Sequence, residues 1–238
     1  MTRLRAEGIV TGYRAVQVLH GVSIEAGAGQ VTCIFGPNGC GKSTLLKAIA
    51  GAIATWEGRI ALDGAELTGL PSHEVVEQGL VLMPQGGGVF AQLSVGDNLR
   101  MGGYTLRSRR EVEARIEEQL ADFPMLRRRL SVHAGNLSGG EQMMLAIARA
   151  LIVRPRFILF DEPSAGLSPR LATEALERAA ALAERGVGVL MVEQNIREAL
   201  RVADRLYVLV GGRNRFEGRP DEIEDDRQLM KLYLGAPA

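Results

Sequence analysis

The sequence predicts an α/β fold: a mostly parallel sheet with helices on both faces, interrupted once by a helical insertion. Three observations carry that reading. Short apolar runs rich in β-formers recur at 31–35, 157–160, 187–192 and 205–210. Each is too short for a core helix and has the length of a buried strand. Segments with helix start and stop signals lie between them. From about residue 89 to 153 the pattern changes to helical spacing.

In chain order, 31–35 reads as a buried parallel strand that runs into a glycine-rich turn. Residues 42–50 read as a helix stopped at Gly51, and 58–64 as an edge strand followed by a turn. The run 80–84 is again apolar and ends at Gln85. Ser108-x-x-Glu111 has the form of a capping box, and Val112, Ile116, Leu120 and Phe123 behind it keep helical spacing. Ser138-x-x-Glu141 is a second capping-box form, opening a helix to about Ile152. The α/β pattern then returns. A strand at 157–160 precedes a helix at 169–185, which Ser168-Pro169 caps and Gly186 ends. Strands at 187–192 and 205–210 follow, with a short helix between them. The reading is a single domain over 1–238, with its core at 1–88 and 154–238 and its helical part at 89–153.

Composition narrows the class. A hydrophobic content of 46% and a charged content of 24% are those of a soluble globular protein. Zero formal net charge argues against a nucleic-acid surface, so no nucleic-acid partner is expected. Two cysteines, Cys33 and Cys40, are too few and too close for a disulfide framework, which fits a reducing, cytosolic setting. The first residues carry no apolar signal region. No apolar run approaches the roughly 20 residues that cross a bilayer. If the chain serves transport, other chains form the pore.

Gly36-Pro37-Asn38-Gly39-Cys40-Gly41-Lys42-Ser43, followed by Thr44, fits the full P-loop pattern. Glycines let the backbone wrap a phosphate with its N–H groups turned inward, and the next helix adds its positive end. Lys42 supplies charge for the β- and γ-phosphates, and Ser43 offers a hydroxyl to Mg²⁺. Cys40 reads as a small tolerated side chain, with a redox switch as the alternative. A second signal is the apolar run 157–160 followed by Asp161-Glu162. It delivers Asp161 to hold Mg²⁺ and Glu162 to polarise the attacking water. Gln85, after its own apolar run, offers a neutral amide to metal-bound water. Tyr13 offers an aromatic face to adenine, the alternative being a strand aromatic packed in a small sheet.

The third signal, Leu137-Ser138-Gly139-Gly140-Glu141-Gln142, lies between the other two. Together they resemble the ATP-binding subunits of ABC transporters, over essentially the whole chain. The resemblance implies a P-loop NTPase (RecA-like) core with a small antiparallel β subdomain and a helical insertion carrying the signature. It implies ATP and Mg²⁺ as cofactors. It makes Tyr13 the A-loop aromatic, 36–43 Walker A, Gln85 the Q-loop residue, 137–142 the signature, Asp161 and Glu162 Walker B with its catalytic glutamate, and 164–167 the D-loop. The resemblance also implies that the signature closes over ATP held by a partner, so that two nucleotide domains sandwich two ATP molecules head to tail. A finer similarity, on 98–104, 164–169, 192–195 and 232–235, is to the shorter ATPase of branched-chain amino acid (or urea and amide) importers. That branch implies a second ATPase, two transmembrane permeases, an extracytoplasmic solute-binding protein, and a peripheral place on the cytoplasmic face of the membrane.

Two departures stand out. Gln194 occupies the place where most of the family has a histidine contacting the γ-phosphate. An amide donates a hydrogen bond there but does not titrate. The run Gly86-Gly87-Gly88 replaces residues that are often arginine, and three glycines loosen a backbone. His20, His73 and His133 read as ordinary surface or packing residues. The alternatives are a soluble ABC-type ATPase of the metal-cluster assembly kind and a mainly structural nucleotide-binding partner.

Overall fold

The computed structural model describes residues 2–194 and 196–223. The chain begins with two long antiparallel strands, β1 (Arg3–Tyr13) and β2 (Val16–Gly27), then β3 (Val31–Phe35) and helix α1 (Lys42–Ile49). Next come β4 (Glu57–Leu62), β5 (Ala65–Glu66), α2 (Ser72–Glu77) and β6 (Leu80–Met83), followed by a 3₁₀ turn at Gln85–Gly88. Four helices follow: α3 (Val95–Gly102), α4 (Arg109–Asp122), α5 (Pro124–Arg127) and α6 (Gly139–Leu151). The chain then runs through β7 (Phe157–Asp161), α7 (Pro169–Glu184), β8 (Gly188–Val192), α8 (Ile196–Leu200), β9 (Arg205–Val210) and β10 (Arg213–Gly218).

Two sheets result. The larger has the order β10-β9-β3-β8-β7-β6, and only the β9–β10 hairpin is antiparallel. The smaller is β2-β1-β4-β5, all antiparallel. β3, β7 and β8 are buried along their whole length, which is why they read as continuous apolar runs. Their period of two still divides the core. Val31, Cys33 and Phe35 join the cluster under α3, α4, α6 and α7, while Ile34 joins the cluster under α1 and the smaller sheet.

Some local readings need correction. β4 is not an edge strand: β1 pairs with it on one side and the two-residue β5 on the other. Ser168 precedes α7, but its side chain makes no cap hydrogen bond, so Pro169 in the first turn starts that helix. Ser108 accepts the Glu111 N–H, while Glu111's carboxylate bonds Arg115 one turn on. The expected strand at 187–192 begins at Gly188, whose missing Cβ leaves room for the Phe157 ring. Residues 232–235 lie outside the described residues, as does Asn195.

Candidate active site

Parallel strands bring the site together. β3, β8, β7 and β6 are consecutive neighbours, and their C-terminal ends lead into the P-loop, Gln194, Glu162 and Gln85 respectively. That edge of an open α/β sheet is where ligands bind.

The P-loop passes from β3 into α1. Gly36, Gly39 and Gly41 all hold positive φ. A Cβ on Gly36 would lie 2.0 Å from the Leu209 carbonyl oxygen, and one on Gly41 would lie 2.4 Å from Leu19 Cδ2. Glycine is therefore required by close approach as well as by dihedral angle. The Lys42 ammonium donates to the loop's own carbonyls, Gly36 at 2.8 Å and Pro37 at 3.2 Å, which places it at the loop mouth. Cys40 is buried in the loop, and burial pushes its thiol pKa up, with Lys42 opposing. That favours the reading of a packed, unreactive side chain over a redox switch.

Ser43 Oγ donates to Asp161 Oδ1 at 2.7 Å. Burial raises the Asp161 carboxyl above its ordinary range. The Ser43 hydrogen bond and the lysines at 42 and 47 oppose the shift, and the Glu162 charge adds to it. Two touching oxygen donors, one of them a desolvated carboxylate, suit Mg²⁺, which takes one or two protein oxygens and fills its shell with phosphate oxygens and water. Among the described residues no three His, Cys, Asp or Glu side chains cluster as a metal cage, so the phosphates and water would complete any such shell.

Glu162 follows at once, in the left-handed region with φ 52°. A non-glycine residue there is uncommon and strained. Its N–H donates to the Val192 carbonyl at 3.0 Å, tying β7 to β8 at this point. Its carboxylate is buried between two neutral amides. Gln85 Nε2 donates to Oε2 at 3.0 Å, and Gln194 Nε2 donates to Oε1 at 2.8 Å. In this structure the Gln85 amide N–H is thus directed to Glu162 and not to the Ser43–Asp161 pair.

A cleft of about 430 Å³ joins these residues. Tyr13, Val18, Asn38, Gly39, Gly41, Lys42, Ser43, Thr44, Gln85, Glu162 and Gln194 line it. Its size is that of a small-ligand site. Tyr13, the last residue of β1, is 44% exposed. Residues 137–142 take no part in lining it. They start α6 instead, where Ser138 and Glu141 form a reciprocal capping box. The Ser138 N–H and hydroxyl hold the Glu141 carboxylate below its usual range, with burial opposing and Arg129 assisting. Gln142 donates to the Ala134 and Leu137 carbonyls. Ser138 and Gly139 face solvent.

The three consecutive glycines take φ 73°, 73° and 58°. They are pinned, however: the Arg149 guanidinium of α6 donates to the Gly88 carbonyl at 2.9 Å and to Gly87 at 3.3 Å, and it stacks over Phe90. Sequence reasoning missed Arg149, because nothing local to α6 points to a turn 61 residues away. It also missed Glu193, a buried carboxylate beside Gln194. His73 and His133 are exposed and His20 is half-buried on β2; none lines the cleft.

A phosphate-wrapping loop, a Ser–Asp pair and a buried carboxylate between amides, all at one sheet edge beside a helical insertion, define a P-loop ATPase. The ABC transporter family model matches residues 19–165, which takes in the P-loop, Gln85, the signature and Asp161-Glu162. The high-affinity branched-chain amino acid transport ATP-binding protein BraG of Pseudomonas aeruginosa is 41% identical, over 98% of this chain and 99% of its own. The probable branched-chain amino acid transport protein LivF of Archaeoglobus fulgidus is 39% identical over 98% of both. The lipopolysaccharide export protein LptB of Acidithiobacillus ferridurans is 37% identical over 98% of this chain and 96% of its own. Among solved structures, the ADP conformation of an ABC transporter's ATP-binding cassette superposes with a TM-score of 0.85 at 32% identity, covering 99% of each chain. The chain belongs to the ABC transporter family, as an ATP-binding subunit that couples ATP hydrolysis to transport.

Proposed function

We propose that this chain energises an importer of branched-chain amino acids or a related small polar solute. Similarity to BraG and LivF over nearly their whole lengths supports that solute class. LptB, at 37%, supports a second reading in which the same ATPase drives an exporter.

In the proposed reaction the P-loop N–H groups and Lys42 grip the β- and γ-phosphates, and Tyr13 stacks on the adenine. Ser43 and Asp161 would hold Mg²⁺, which would supply positive charge beside the phosphates. Glu162 orients and polarises the attacking water, and the Gln85 and Gln194 amides aim its carboxylate. Residues 137–142 supply the start of α6 to ATP on the partner ATPase, whose own signature completes this chain's cleft. The reading divides the chain into 1–88 with 154–238 as core and 89–153 as helical subdomain. The assembly holds two permeases and draws on an extracytoplasmic solute-binding protein. The proposed place, by likeness to the transport ATP-binding relatives, is peripheral on the cytoplasmic face of the membrane; no helix among the described residues is long and apolar enough to cross one.

The observation that carries the chemistry is Glu162, buried, strained and held through both oxygens. Glu162→Gln is expected to bind ATP normally, to lose hydrolysis by at least about 100-fold, and to trap an ATP-bound dimer with the partner ATPase. Turnover at the wild-type rate would remove Glu162 from the role.

A further inference from the structure

Glu193 has no place in the reaction so far. It is 1% exposed, yet three neutral donors hold it. Ser164 donates twice: its backbone N–H reaches Oε1 at 2.9 Å, and its hydroxyl reaches Oε2 at 2.8 Å. The Gln194 backbone N–H adds a third bond to Oε2 at 3.1 Å. Burial pushes the Glu193 carboxyl pKa upward, and these three bonds oppose the shift. A buried carboxylate held by neutral donors is expensive compared with an apolar side chain of the same size. The expense has a visible return in geometry. Ser164 lies two residues after Glu162, and Gln194 is itself the donor to Glu162 Oε1. One carboxylate therefore pins the main chain two residues after Glu162 and the main chain of the residue whose amide donates to Glu162. The Glu193 N–H in turn donates to the Ile34 carbonyl on β3, just before the P-loop. Three strand ends are locked together behind the cleft.

We propose that Glu193 is a positioning residue for hydrolysis: by gripping Ser164 and the Gln194 main chain it sets the course of the 162–167 loop and the aim of the Glu162 carboxylate. The inference rests on Glu162 acting on the water, as proposed above. Ser164 presents two donors that converge on the two oxygens of one carboxylate. Glutamine offers one acceptor and turns an NH₂ group against a donor, so Glu193→Gln breaks the grip without changing the volume. Ser164→Ala removes only the hydroxyl bond, on a half-buried loop where folding is not at stake.

The test measures ATP affinity with a fluorescent ATP analogue, and hydrolysis in the mixed ATPase–permease complex. Glu193→Gln is expected to lower kcat on the order of 10- to 100-fold, as small misplacements of a reacting group do. Ser164→Ala is expected to lower it several-fold, and Ser164→Thr, which keeps both donors, to restore it. Affinity stays within roughly twofold throughout, and the double variant is no slower than Glu193→Gln alone. Should Glu193→Gln fail to fold, the Ser164 pair decides. Wild-type kcat in Ser164→Ala, or a parallel loss of affinity and rate, overturns the positioning role while leaving the functional reading intact. A wild-type complex that binds ATP without hydrolysing it overturns both.

Discussion

At the scale of single residues, Asp161 is held against its own stability. Its carboxyl pKa is raised by burial, so the folded chain binds that proton more tightly than the unfolded chain does. Stability is then unaffected below the ordinary carboxylate range, falls as pH rises to the raised value, and carries the full penalty above it. Asp161→Asn keeps an oxygen for the Ser43 hydroxyl and removes the charge. It is expected to raise the nucleotide-free Tm at pH 8, by an amount that shrinks towards zero near pH 4. The same variant is expected to lose the extra Tm that ATP with Mg²⁺ gives the wild type. Thermal scans with and without ATP and Mg²⁺ measure both; a less stable apo variant at pH 8 would refute the account. Gln194 is the complementary case. It meets Glu162 as a neutral donor, so the departure from histidine leaves the carboxylate held by groups that do not titrate.

At the scale of elements, Ser138 caps α6. It is also the second residue of the proposed signature. Ser138→Ala is expected to cost about 1 kcal/mol, the usual value of a lost N-cap, or a fall in Tm of about 2–4 °C for a domain of this size. ATP affinity of the chain's own cleft is expected to stay unchanged, since Ser138 does not line it, while hydrolysis in the dimer falls. Loss of affinity in the isolated chain would place Ser138 in the wrong site. The same helix shows what the sequence could reveal. Its capping box is local, three residues apart, and therefore legible, as are the P-loop and the buried strands β3, β7 and β8. β1 and β2 were not legible because bulges break their alternation: the register shifts between Ala6 and Ile9 and again before Gly12. β10 is a polar edge strand with no fully buried residue, so no apolar run marks it. In the site, the residue types were legible and their pairings were not. The two amides on Glu162 and the Glu193–Ser164 grip join positions 29 to 77 residues apart, which only the sheet order brings together.

At the scale of the whole molecule, the cleft has to feel what happens on another face. A groove of about 520 Å³ lies between β6, α3 and α6, lined by Met83, Phe90, Met101, Tyr104, Ala146 and Arg149 among others. Its lining is largely apolar, and Phe90, Met101 and Tyr104 are 46%, 46% and 57% exposed, a concentration of the kind that partner surfaces carry. Arg149 lies in its wall and also holds the Gly87 and Gly88 carbonyls, next to Gln85, which bonds Glu162. A partner seated in the groove therefore reaches Glu162 through packed, hydrogen-bonded neighbours. In the proposed transporter that partner is a permease. Met101→Glu with Tyr104→Glu alters two exposed positions outside the cleft, so ATP affinity and the chain's unstimulated hydrolysis are expected to match wild type. Capture of the permeases and the stimulation they give are expected to fall at least about tenfold, because a charge is desolvated on docking. Undiminished stimulation would mean that the permeases reach Gln85 from elsewhere. Lost capture with normal intrinsic hydrolysis would tie the groove to coupling and leave the chemistry with Glu162.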